Sequence, residues 1–124
     1  MVPPGAVPFQ CSQTITNSAA AVQLVDTLTG ANLSAVLGRQ YFVSSCVATN
    51  RDSGSDTNLD LLSNTTRIFR QAVAQAGGGF VAGFSGPPKY TAVGEALKAK
   101  LADAISGDVH VDITGYYVRV ETAA

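Results

Sequence analysis

Residues 9–16 alternate strictly: Phe9, Cys11, Gln13 and Ile15 face one way, and Gln10, Ser12, Thr14 and Thr16 face the other. This two-residue period predicts a half-buried strand. Residues 40–49 are rich in β-branched and aromatic side chains and nearly uncharged on both faces, the pattern of a strand inside a sheet. Near the C-terminus, Val109, Val111 and Ile113 alternate with Asp108, His110, Asp112 and Thr114, which predicts a strand over residues 108–121. Beyond Gly115 the apolar set becomes Tyr116, Val118 and Val120. A one-residue change of phase at a glycine predicts a β-bulge at Gly115.

Other stretches follow a helical period. Leu59, Leu62, Thr66, Phe69 and Val73 recur at helical spacing behind a Thr57-Asn58-Leu59-Asp60 cap, and the glycines from Gly77 provide a stop. They predict a helix over residues 58–76. Val93, Ala96, Leu97, Leu101, Ala104 and Ile105 predict a second helix over 91–105, capped by Thr91 and closed by Gly107. Residues 20–25 are expected as a strand, against a rival helix from Ala19 to Leu28. Leu33–Leu37 forms either a short turn ended by Gly38 or another strand, and Phe80–Ala82 a short strand. The expected architecture is α+β: a mainly antiparallel sheet with two helices packed on one face. The strand over 108–121 pairs with 40–49 or with 80–84. All 124 residues fit a single domain, with an extended Pro-rich arm at 1–10 and a polar loop at 50–58.

Charge alters this picture more than any motif does. Only 14% of the residues are charged, against about 25% in ordinary globular domains. Of the seventeen charged side chains, only Asp26 and Arg39 lie in the first fifty residues. A surface short of Lys, Glu and Asp is easily stripped of water, so burial against copies of the same chain is the expected fate of that surface. A net charge of −1 provides no long-range attraction for nucleic acid or an anionic membrane. No apolar run reaches the length of a membrane span, and the first residues lack the pattern of a secretory signal, so no localisation is indicated. Cys11 and Cys46 lack metal-ligand spacing; they are either two buried thiols or a disulfide between neighbouring strands.

Candidate chemistry is sparse. His110, the only histidine, is flanked by Asp108 and Asp112 on one strand face. That trio suits a solvent-facing polar row, a contact sensitive to mildly acid pH, or, with Tyr117, the site of a small enzyme or ligand-binding domain. The glycine-rich stretch from Gly77 to Gly86 is no phosphate loop, because Phe84 stands where the lysine must be. Arg67 and Arg70 share one expected helix and Lys98 and Lys100 the other; these four fit solvated helix faces or, at most, a weak phosphate contact. No cofactor and no metal is called for.

The expected function is a structural subunit of a homomeric assembly, such as a coat or decoration component of a virion, without catalysis. In composition alone the chain resembles the coat and decoration proteins of small phages. Its expected partners are copies of itself, contacted through Val2, Pro3, Pro4, Val7, Pro8 and Phe9 in the arm, since such a segment cannot fold alone. The alternative is an enzyme or binding domain built on the Asp108/His110/Asp112 face.

Overall fold

Strands account for all the regular structure in residues 5–16, 18–52, 54–83, 89–103 and 105–120, the residues described by the computed structural model. In chain order they are β1 (Val7–Ile15), β2 (Val22–Gln23), β3 (Arg39–Asn50), β4 (Thr57–Ser63), β5 (Thr66–Val73), β6 (Gly79–Gly83), β7 (Lys89–Tyr90), β8 (Leu97–Leu101) and β9 (Val109–Arg119). The α+β expectation is therefore wrong. The protein is all-β, with two antiparallel sheets and no helix among the described residues.

Both expected helices give way to tighter local signals. Asn64, with φ at 51°, turns the chain between Ser63 and Thr66, so β4 and β5 form a hairpin where one long helix was expected. Asparagine tolerates the left-handed region that such a turn demands. In the second case, Gly94 at φ 83° breaks the chain before β8. There Leu97, Ala99 and Leu101 are buried while Lys98 and Lys100 are half-exposed. An alternation that strict belongs to a strand.

One sheet runs β1-β9-β3-β6, with β7 also on β3; the other runs β2-β8-β4-β5. Thus β1 lies beside β9, β2 beside β8, β3 beside β6 and β4 beside β5. Four such pairs shared between two sheets make the eight-stranded double-sheet jelly roll, with β7 as an accessory. The strand expected over 108–121 pairs with β3 rather than with β6, and β1 takes its other side.

The inward residues of both sheets merge into one cluster. Ile113 lies at its heart, with Cys11 opposite it on β1 and Cys46 opposite it on β3. Two strand spacings, about 9.6 Å, separate the cysteines, beyond the reach of a disulfide. Both are buried free thiols. Burial pushes Cys11 up to about 11 and Cys46 up to about 12.

The bulge falls on a different strand from the one expected. From Val7 opposite Tyr117 to Ile15 opposite Val109, β9 keeps unbroken register with β1. Its inward phase stays odd through Val109, Val111, Ile113, Gly115 and Tyr117. The irregularity is on β3, between Val43 and Ser45, where the inward set passes from Tyr41 and Val43 to Cys46 and Ala48. Gly115 serves another purpose. A Cβ there would strike the Phe42 carbonyl oxygen and come within 2.8 Å of the Phe9 ring. The Phe9 ring fills the place of the missing side chain, and it meets Tyr41 edge-on at 6.1 Å; Tyr41 in turn meets Tyr117 at 5.8 Å.

Buried carboxylates tie the loops down. Asp52 accepts hydrogen bonds from the amides of Gly54, Ser55 and Gly107 and from the Ser106 hydroxyl. The Gly54 and Gly107 amides contribute most to holding its carboxyl below the usual carboxylate range. Asp26 accepts from the amides of Gln10 and Leu28 and from the Thr29 hydroxyl.

Two tests follow from this packing. Gly115→Ala meets backbone as well as a ring, so it should cost about 3 kcal/mol, the upper end for overpacking, or about 10 °C in Tm. An unchanged melting curve would contradict the packing at that position. The thiols hold their protons more tightly folded than unfolded, so their contribution is full below about pH 9 and is lost as pH rises through about 11 and 12. Melting temperature should fall over that alkaline range, and Cys11→Ala/Cys46→Ala should flatten the fall.

Candidate assembly surface

Each strand that buries alternate side chains must present the others outward. On the outer face of the five-stranded sheet, the register aligns these residues in rows across the strands. In one row Pro8 of β1 lies beside Tyr116 of β9, Tyr116 beside Phe42 of β3, and Phe42 beside Tyr90 of β7. Phe42 stacks on Tyr116 at 5.1 Å and 14°, and meets Tyr90 at 5.7 Å and 38°. Tyr90 remains 53% exposed. This row spans about 14 Å of sheet and carries no charge.

The rows beside it are small and polar or apolar. Gln10, Thr114, Ser45 and Gly83 form the next, in which the Ser45 and Thr114 hydroxyls bond to each other. Ser12, Asp112, Val47 and Val81 follow, and Val81 on the edge strand is 81% exposed. A shallow cavity of about 520 Å³ opens by the β3 bulge, lined by Pro8, Gln10, Leu28 and Ser44 among others. Leu28 stands 63% exposed beside it. On the strands of this face, among the described residues, the ionisable outward side chains are Asp112 and His110 with the tyrosines.

The residues singled out from the sequence disperse in part. Val2, Pro3 and Pro4 lie outside the described residues. Val7 and Pro8 are exposed on β1, whereas Phe9 is buried in the core and offers no contact surface. Asp108 is engaged by Arg51, whose guanidinium also reaches Thr14. His110 and Asp112 do come together, with Asp112 Oδ2 3.5 Å from His110 Nε2. Ser12 Oγ lies 3.3 Å from the same nitrogen. A serine relay needs the carboxylate on one imidazole nitrogen and the hydroxyl on the other; here both groups meet Nε2. Tyr117 points to the opposite side of β9, into the core with Tyr41. Among the described residues no group of three His, Cys, Asp or Glu side chains is placed to hold a metal ion.

Sequence reasoning missed Tyr90, Phe42, Val81 and Leu28 as surface features. The available signal is Tyr116 and Val118, apolar residues in the outward phase of a strand, which a change of phase at Gly115 would have turned inward. Neither the protein-family models nor the curated proteins contain a match to this chain, so the chemistry of its surfaces carries the functional argument.

If Ser12 is an ordinary surface hydroxyl, a fluorophosphonate probe should label it no faster than the exposed Thr14 neighbourhood or any other surface serine. Rapid stoichiometric labelling at Ser12, abolished by His110→Gln, would contradict this geometry.

Proposed function

We propose that the protein is a structural subunit of a homomeric assembly, of the kind that forms or decorates a virion. The observation that carries this reading is the outer face of the five-stranded sheet: broad, nearly uncharged and crossed by a half-buried aromatic row that ends in the exposed Tyr90. With β9 of 11 residues as its length and four strands as its width, the face measures about 36 by 19 Å. That is roughly 700 Å², close to the ~800 Å² per partner of a stable interface. Aromatic side chains are enriched at the centres of such contacts, and charged ones depleted.

Edge strand β6 adds to the case. Val81 stands out from it next to glycines at both strand ends, and natural edges are usually blunted with charge or proline. The jelly roll itself is consistent with a coat protein, and equally with lectins and cupins, so the fold does not choose among them.

Sedimentation velocity and negative-stain microscopy of the purified chain test the reading. The wild type should form particles larger than a monomer as its concentration rises. Tyr90→Lys/Val81→Lys should remain dispersed at the same concentrations with the fold retained and Tm lowered by a few degrees at most, since Val81 is exposed and Tyr90 gives up only its contact with Phe42. A wild type that stays monomeric at millimolar concentration, or a double variant that assembles as well as the wild type, would overturn it.

A further inference from the structure

The second sheet presents an outer face of opposite chemistry. On β8, Lys98 and Lys100 point outward because Leu97, Ala99 and Leu101 take the core. Register sets Lys98 beside Leu62 and Lys100 beside Asp60 on β4. On the other flank of β4, Arg67 lies beside Leu62 and Arg70 beside Asp60. Arg67 and Arg70 are three positions apart and would face opposite ways on a regular strand. The irregularity opposite Leu61 and Leu62, which leaves Ile68 without a partner position, returns both to one face. Four of the eight basic residues thus gather within two strand spacings, about 10 Å, and one alternate-residue step, about 7 Å.

One carboxylate sits among them. Asp60 is buried and takes two hydrogen bonds from Arg70, at 2.6 and 2.8 Å. Among the described residues Arg67, Lys98 and Lys100 make no ion pair. The nearby acids lie at the margins: Glu95 is held by the Ser63 hydroxyl at one end, and Asp103, beyond β8, acts on Arg70 at the other. Leu62 is only 5% exposed, so no apolar group stands out between the cations.

We propose that this face is a contact surface for the phosphodiester backbone of a nucleic acid, without sequence preference. Three uncommitted cations on one flat face can replace condensed counterions along a phosphate chain. The absence of an outward aromatic among them leaves no platform for base stacking, and nothing on the face is shaped to read base edges. An anionic membrane is the poorer match, because interfacial binding needs apolar side chains to insert. The proposal does not depend on self-assembly, since the face is complete in one copy; in an assembly, repetition of the face would multiply its effect.

Fluorescence anisotropy of a short labelled duplex, measured where sedimentation shows the protein dispersed, reads the contact directly. Log affinity against log salt should fall with a slope of about −2.7 for three cations. Lys98→Gln/Lys100→Gln should reduce the slope to about −0.9 and Arg67→Gln to about −1.8, each with unchanged Tm, while Lys89→Gln on the other sheet should leave it alone. No binding at low salt, a slope unmoved by Lys98→Gln/Lys100→Gln, or binding to phosphatidylserine vesicles but not to the duplex would overturn the proposal.

Discussion

A pleated strand cannot bury all its side chains on one side, and that constraint organises the whole molecule. Once alternate residues of β1, β3, β4, β8 and β9 are committed to the shared core, the remaining residues are forced into two outer surfaces. The core is made of side chains such as Ile113, Val111, Leu61 and Leu101, all fully buried. What distinguishes this chain is how differently the two remaining sets are composed. Behind the five-stranded sheet they are aromatic, hydroxyl-bearing and small; behind the four-stranded sheet they are Lys and Arg around one paired aspartate.

The same constraint explains what could be read in the sequence and what could not. The strands over 9–16, 40–49 and 108–121 were legible because each has a clean period or a composition with no helical rival. The β4–β5 hairpin and β8 were not, since Leu59, Leu62, Phe69 and Val73 satisfy a helical period and all but Leu62 also satisfy a strand period. Asn64 in the middle of that run and the Leu-Lys-Ala-Lys-Leu alternation of β8 were the discriminating signals, and both are short. The cations show what the error hid. As residues of two helices, Arg67, Arg70, Lys98 and Lys100 are scattered; as residues of adjacent strands they share a face, and only the register and the Ile68 irregularity bring them together.

The misplaced bulge is instructive in the same way. Assigning Tyr116 and Val118 to the core because they are apolar required a change of phase at Gly115. The strand runs straight instead, Tyr117 packs inward against Tyr41, and Tyr116 stays outside to stack on Phe42. An apolar residue held outward by an unbroken strand is a positive feature of the surface, and it belongs to the face through which we propose that copies meet. Of the sequence-derived site, His110 and Asp112 are adjacent, yet their geometry with Ser12 forms a polar surface row and not a relay.

On our proposal, self-association covers the outer face of the five-stranded sheet. Hydroxyl-radical footprinting of dispersed and concentrated protein addresses this residue by residue. Tyr90, Val81 and Leu28 should lose reactivity on association, while Lys98 and Lys100, on the outer face of the four-stranded sheet, should keep theirs. Equal labelling of Tyr90 and Val81 in both states would place the contact elsewhere and rule this face out.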